Sequence, residues 1–132
     1  MPPSLMADMN AMLSAVIAGG SGKAAALNRP AAGKTGTSQD FRDAWFVGYT
    51  ADLVAGVWMG NDDGKSMRGV TGGGLPARLW RDVMMEAHGN LPPRSLPGME
   101  RPSAAALRPK ALGGAPEEPG FWQNLFGKLT GG

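Results

Sequence analysis

Ala32-Gly33-Lys34-Thr35-Gly36-Thr37-Ser38, with the apolar runs 45–50 (Trp-Phe-Val-Gly-Tyr-Thr) and 53–60 (Leu-Val-Ala-Gly-Val-Trp-Met-Gly) behind it, decides how this 132-residue chain folds. The two runs are short and rich in β-branched and aromatic residues. Only Ala51-Asp52 separates them, a spacing that predicts an antiparallel hairpin although Ala-Asp is not a preferred turn pair. Both faces of the hairpin are apolar, which predicts cover on both sides of the sheet. Gly48 and Gly56 are expected to thin one face, so that another element can approach closely. The stretch in front is small, cationic and hydroxylated. Gly33 and Gly36 let a ligand lie close along the backbone. Thr35 and Thr37, two residues apart, put their hydroxyls on one strand face, and Lys34 adds a positive charge. That combination suits a carboxylate lying along a strand edge.

Outward from this centre, residues 4–18 predict an amphipathic helix. Leu5, Met6, Met9, Met12, Leu13, Val16 and Ile17 recur at three-and-four spacing, Ser4 is the expected N-cap, and Gly19-Gly20 ends the element. A core-facing helix is the expected role of that face, with a methionine-rich partner groove as the alternative. Residues 76–88 predict a second helix. Pro76 suits the first turn, and Leu79, Trp80, Val83, Met84 and Ala87 form its apolar stripe. His88, the single histidine, stands at its end, where it complements the helix dipole. The Gly-rich residues 69–74 are expected to be a flexible connection.

Three motif fragments are set aside. Gly20-Ser21-Gly22-Lys23-Ala24-Ala25 fits a dinucleotide fingerprint, but that motif needs a strand before it, and helical periodicity precedes this one. Gly33-Lys34-Thr35 imitates the end of a P-loop, yet Asn28 stands where its first glycine belongs and no helix pattern follows. Nucleotide binding is retained only as an alternative enzyme class. Asn61-Asp62-Asp63-Gly64 lacks the spacing and closing glutamate of a calcium loop and reads as a polar turn.

Composition narrows the remaining classes. With 21 glycines and 11 prolines the chain supports one modest core at most. Formal net charge is +2, and residues 1–90 carry eight basic and eight acidic side chains. A neutral body gives no electrostatic footprint for nucleic acid, so none is expected as a partner. There is no cysteine, which excludes disulfides and thiolate metal sites. No stretch reaches the ~18 apolar residues of a membrane span, and no charged-then-apolar leader opens the sequence. Residues 91–119, rich in Pro, Ala, Arg and Gly, are expected to be a disordered linker. Residues 120–132 carry a short amphipathic tail through Phe121, Trp122, Leu125, Phe126 and Leu129, a candidate for weak membrane-surface or protein contact.

The ordered set Ala-Gly-Lys-Thr-Gly-Thr-Ser, Asp43-Ala44-Trp45-Phe46-Val47-Gly48-Tyr49-Thr50, Val57-Trp58-Met59-Gly60-Asn61-Asp62-Asp63, Gly72-Gly73-Gly74-Leu75-Pro76-Ala77 and Trp80 resembles the C-terminal part of the transpeptidase domain of a class A (bifunctional) penicillin-binding protein. The resemblance covers residues 1–90. It implies an α/β (α+β) fold: an incomplete penicillin-binding-protein and β-lactamase-like architecture, an antiparallel sheet flanked by helices. It implies serine acyl transfer in peptidoglycan cross-linking, with stem peptides and β-lactams as ligands and no cofactor or metal. The implied location is the periplasmic face of the inner membrane. Lys34 would act on the serine and the substrate carboxylate, and the Thr35 and Thr37 hydroxyls would bind that carboxylate. The Thr37 N–H would be one oxyanion donor, and Gly36 would keep the edge open. Trp45, Phe46 and Trp58 would support the sheet. The sequence departs from the family pattern in one respect: no serine here has Lys three places on or Asn two places on, so the nucleophile motifs Ser-x-x-Lys and Ser-x-Asn are absent. The chain is therefore expected to be a fragment, inactive alone, whose partner is the N-terminal part of the same domain; a non-catalytic binding lobe is the alternative.

Overall fold

In the computed structural model, which describes residues 1–100, the elements run α1 (Pro3–Ala18), the 3₁₀ turn Lys23–Ala25, β1 (Ala32–Thr37), the 3₁₀ turn Gln39–Phe41, β2 (Asp43–Tyr49), β3 (Val54–Gly60) and α2 (Leu75–His88). The strands form one antiparallel sheet in the order β1-β2-β3. Gly33 stands opposite Gly48, Thr35 opposite Phe46, and Trp45 opposite Trp58. The α+β architecture that the resemblance implies, an antiparallel sheet flanked by helices, is the one observed, and the two apolar runs form the expected hairpin. Helix α1 packs against β1, and α2 against β2 and β3. No helix among the described residues is long and apolar enough to cross a membrane.

The core lies between α2 and one face of the sheet. Phe46 and Trp80 are fully buried and meet edge to face, ring centroids 5.1 Å apart. Ile17, Ala25, Ala31, Ala77 and Met84 complete the cluster. The Trp80 indole N–H donates to the Ala55 carbonyl at 3.0 Å, so the ring is buried without an orphaned donor.

Pattern reading misjudged both helices in detail. On α2 the buried residues are Pro76, Ala77, Trp80, Met84 and His88, while Leu79 and Val83 are half exposed. The buried stripe is turned by about one residue: Ala77 joins Phe46 and Trp80 in the core, and His88 is held inward by hydrogen bonds. On α1, Ser4 is not the cap; Pro2 occupies that position and Pro3 the first turn. Asn10 and Ile17 are its buried residues, and Leu5, Met9 and Met12 stay exposed.

Two buried polar groups tie the helices down. His88 Nδ1 meets the Met84 carbonyl at 2.6 Å, and Thr50 Oγ1 meets His88 Nε2 at 2.8 Å. Thr50 Oγ1 also accepts the Asp52 and Leu53 N–H groups, each at 3.2 Å. The hairpin turn that Ala51-Asp52 alone would not favour is thus closed by the threonine before it, together with a Thr50 N–H to Leu53 carbonyl bond of 2.8 Å. On the other side Tyr49 donates its phenol to Asn10 Oδ1 at 2.5 Å, and Asn10 Nδ2 donates to the Pro97 carbonyl at 2.8 Å. Leu96 is buried and Arg94 pairs with Asp52 at 2.7 Å. The compact unit therefore extends to Glu100, ten residues past the expected boundary of the linker. The rest of that linker and the amphipathic tail lie outside the described residues.

The two glycines expected to thin one face lie on opposite ones. Gly48 stands under Trp80, whereas Gly56 stands beside Val47 on the far face. That far face carries Trp45, Val47, Val54 and Trp58, all 45–73 % exposed, so α2 covers only one side. By the alternation that follows from the Thr50–Leu53 bond, Val54, Gly56 and Trp58 aim their backbone N–H and C=O groups away from β2. Among the described residues no strand pairs with this edge. The strand has no charge, proline or bulge to blunt it.

Two outcomes follow from this packing. The chain alone self-associates at micromolar concentration, and Val54→Lys, at an exposed position on the open edge strand, shifts sedimentation toward monomer. Val57 is the wrong place for that charge because it packs against the α2 core. Burial also pushes the Tyr49 phenol above its ordinary value. Its contribution to stability is complete below the unfolded phenol's pKa of about 10 and is lost as pH rises through the higher folded value. Denaturant midpoints at pH 8 and pH 11 measure that loss, and Tyr49→Phe reduces the pH dependence.

Candidate functional site

β1 is the other edge of the sheet, and its backbone has a fixed sense. The Ser38 N–H donates to the Asp43 carbonyl at 2.9 Å, so Ser38–Asp43 is a hydrogen-bonded pair. Alternation then turns Gly36, Lys34 and Ala32 toward β2, and Thr37, Thr35 and Gly33 outward. The Thr37 N–H and the Thr35 carbonyl therefore face away from the sheet. The Lys34 ammonium donates to that Thr35 carbonyl at 2.8 Å, which brings the charge to the same edge. None of the ion pairs among the described residues uses Lys34. One cation and one outward N–H therefore lie along a single strand edge, three residues apart in sequence.

The side chains divide between the faces. Lys34 and Gly36 share the face of Trp45 and Val47, while Thr35 and Thr37 share the α2 face with Phe46. The two hydroxyls are not loose. Thr35 Oγ1 lies 2.7 Å from Ser21 Oγ, and Thr37 Oγ1 accepts the Gly72 N–H at 3.0 Å. Two segments distant in sequence therefore converge on β1: the connection after α1, and the glycine run before α2.

That glycine run is the largest departure from expectation. Gly72 is buried, and a Cβ there would stand 2.5 Å from the Gly36 carbonyl oxygen, 2.8 Å from the Gly36 nitrogen and closer still to the Trp45 carbonyl. A Cβ on Gly73 would overlap the Ser21 carbonyl. The run is chosen for close backbone approach rather than for flexibility. Sequence reasoning missed Ser21 and Gly72 as neighbours of the site. Three successive glycines ahead of a helical proline were the available sign of a backbone pressed against another.

The strand assignment also disposes of the P-loop alternative, since residues 32–37 are extended and no helix opens after Thr35. Gly20–Ala25 follows a helix and enters a 3₁₀ turn, which is not the strand-to-helix turn of a dinucleotide site. Residues 61–66 form a turn in which Asn61 Nδ2 donates to the Lys65 and Ser66 carbonyls. Lys65 pairs with Asp63 at 2.7 Å there, and its hydrogen bond holds that carboxyl below the usual range. Beyond β1, Ser38 Oγ donates to Asp43 Oδ2 at 3.1 Å and the Trp58 indole to Asp43 Oδ1 at 3.0 Å. This fixes Trp58 against Trp45, ring centroids 6.3 Å apart. Phe46 supports the sheet from the core side, and the tryptophan pair from the open one.

Comparison with known proteins gives a consistent pattern. No family model matches the chain. It is 39 % identical over 83 residues to penicillin-binding protein 1A of Aquifex aeolicus, covering 62 % of this chain and 11 % of that protein. It is 37 % identical over 124 residues to penicillin-binding protein 1A of Pseudomonas aeruginosa, covering 89 % and 15 %. Against penicillin-binding protein 1A of Neisseria gonorrhoeae it is 51 % identical over 63 residues, covering 46 % and 8 %. The crystal structure of penicillin-binding protein 1A from Haemophilus influenzae matches with a TM-score of 0.54 and 28 % identity, over 70 % of this chain and 18 % of that one. The chain spans between 8 % and 15 % of the length of these three curated relatives.

The clamp on β1 carries its own test. Gly72→Ala lowers the melting temperature by about 10 °C or more, because a Cβ against three backbone atoms costs about 1–3 kcal/mol or more. Gly36→Ala, whose Cβ would meet only Trp45 Cβ at 3.4 Å, leaves it within a few degrees. Differential scanning fluorimetry of the two variants compares them directly.

Proposed function

We propose that this chain, which resembles the C-terminal part of the transpeptidase domain of a class A penicillin-binding protein, supplies the substrate-binding strand of a serine D,D-transpeptidase site. The nucleophile comes from residues outside this chain, since no serine here stands in a Ser-x-x-Lys or Ser-x-Asn pattern. The observation that carries the reading is the outward edge of β1, where the Lys34 charge and the Thr37 N–H share one side of an extended backbone.

The chemistry assigns each group a task. A serine oxygen attacks the carbonyl carbon of a D-Ala–D-Ala peptide bond, the terminal D-alanine leaves as its amine, and an acyl-enzyme ester remains. The amine of a neighbouring stem peptide then takes the acyl group and frees the serine. A β-lactam enters the same first step and stalls as an ester. In this scheme the Thr37 N–H is one of two donors to the developing oxyanion, the other being the serine's own N–H. Losing one such donor costs about 10²–10³ in rate. Lys34 favours the anionic carboxylate of the substrate and the proton transfer at the serine. Thr35 and Thr37 donate their hydroxyls to that carboxylate, and Gly36, without a side chain, leaves room for the peptide to lie along the strand. The peptidoglycan stem peptides of this reaction place the working site on the periplasmic side of the inner membrane.

Labelling with a fluorescent penicillin tests the reading. The chain alone gives no covalent band on a denaturing gel. Co-expressed with an upstream segment carrying Ser-x-x-Lys and Ser-x-Asn, it supports labelling of that segment. Lys34→Ala abolishes the label, whereas Lys23→Ala, on an exposed 3₁₀ turn, does not. Equal effects of the two substitutions would remove β1 from the site.

A further inference from the structure

Two hydrogen bonds on the α2 face of β1 have a direction that bears on ligand binding. Thr37 Oγ1 accepts the Gly72 N–H at 3.0 Å. A backbone N–H can only donate, so one lone pair of this hydroxyl is committed and its proton remains to be given away. The Thr35 hydroxyl is paired with Ser21 Oγ at 2.7 Å. When an anion accepts from Thr35, the Ser21 proton turns toward Thr35 Oγ1, and the chain runs from Ser21 to Thr35 to the anion. Each bond in such a row polarises the next. Glycine at position 73 permits this geometry, since a Cβ there would collide with the Ser21 carbonyl and come within 3.6 Å of Thr35 Cγ2.

We infer that Ser21 and Gly72 are positioning residues that set both threonine hydroxyls as donors, so that the strand selects a carboxylate over a neutral amide. The inference rests on the reading of β1 as the substrate strand. Ser21 belongs to a connection whose sequence gives no hint of a role, and Gly72 to a run that reads as flexible, so only the fold brings them to the site. Neither touches the ligand in this scheme. A carboxylate accepts two hydroxyl protons where a terminal amide offers one carbonyl and two donors of its own. Turned toward the amide's NH₂, each hydroxyl proton meets another donor and finds no acceptor, and one of the two lone pairs on each threonine oxygen is already used.

The test uses the full 132-residue chain carrying Val54→Lys to keep it monomeric, with that background as the wild-type reference, labelled with ¹⁵N, and two probes, an N-acyl-D-Ala-D-Ala acid and its C-terminal amide. Amide shifts of residues 33–38 report binding. The wild-type chain is expected to prefer the acid by about tenfold, in line with hydrogen bonds to a charged partner. Ser21→Ala loses most of that preference, Ser21→Thr keeps it because the hydroxyl is retained, and Thr37→Val loses it while Thr37→Ser keeps it. Stability alone does not move the ratio of two affinities in a folded variant, so the acid-to-amide ratio separates positioning from support. An unchanged ratio in Ser21→Ala overturns the inference while leaving the substrate-strand reading in place. A wild-type chain whose residues 33–38 respond to neither probe overturns both. A Ser21→Thr variant as unselective as Ser21→Ala shows that the site needs the shape of serine rather than its hydroxyl, and overturns the relay.

Discussion

The fold depends on one aromatic ring having somewhere to lie. Phe46 stands on the α2 face of the central strand, and two glycines directly opposite each other, Gly33 and Gly48, leave the space it fills. A Cβ on Gly33 would stand 2.8 Å from the end of the Phe46 ring, and one on Gly48 would stand 2.8 Å from Trp80. Trp80 and Phe46 are the two largest fully buried side chains among the described residues, and their edge-to-face contact adds about 0.5–1.5 kcal/mol to the burial of both rings. Glycines in a strand weaken it locally, and here that weakness is offset by the core they admit. Gly33 also precedes Lys34, so the residue that seats the core begins the candidate site.

A body this small has little apolar surface to hold its helices, and polar ties supply what packing does not. The His88 and Thr50 pair joins the end of α2 to the β2–β3 turn, and Asn10 joins α1 to Tyr49 and Pro97. Both sets are buried and satisfied, the condition under which polar groups hold an arrangement rather than penalise it. Removing one partner would leave the other unpaired, a loss of about 1–3 kcal/mol. The ties also decide which helix faces turn inward. Asn10 and His88 are buried while Leu5, Met9, Met12, Leu79 and Val83 remain in contact with solvent.

The two edges of the sheet differ in kind. β1 is flanked by α1, backed by the glycine run and lined with a charge and hydroxyls, so its outward N–H groups meet water or a polar ligand. β3 is apolar along its length and beside it lies a face holding Trp45, Val47, Val54 and Trp58. One edge presents a charge and hydroxyls, the other an unbroken apolar strand. The Aquifex aeolicus and Pseudomonas aeruginosa relatives are each more than five times the length of this chain.

Much of this was legible in the sequence because it depends on local spacing. The strand runs 45–50 and 53–60, the extended Ala32–Thr37 stretch and the existence of both helices follow from periodicity and glycine placement, forces that act over a few residues. The same is true of Lys34, Thr35, Gly36 and Thr37 as a polar strand with room beside it. What the sequence left open depends on contacts between distant segments. That Gly48 and Gly56 face opposite ways, and that the α2 stripe turns toward Ala77 and His88, are settled by register and by what lies underneath. That Asn10 is buried, that residues 91–100 fold back onto the body, and that Ser21 and Gly72 reach the threonines of β1 are settled by long-range hydrogen bonds. Hydrogen bonds and close backbone contacts between segments 14 to 87 residues apart leave no periodic trace along the chain, so only the tertiary structure could decide them.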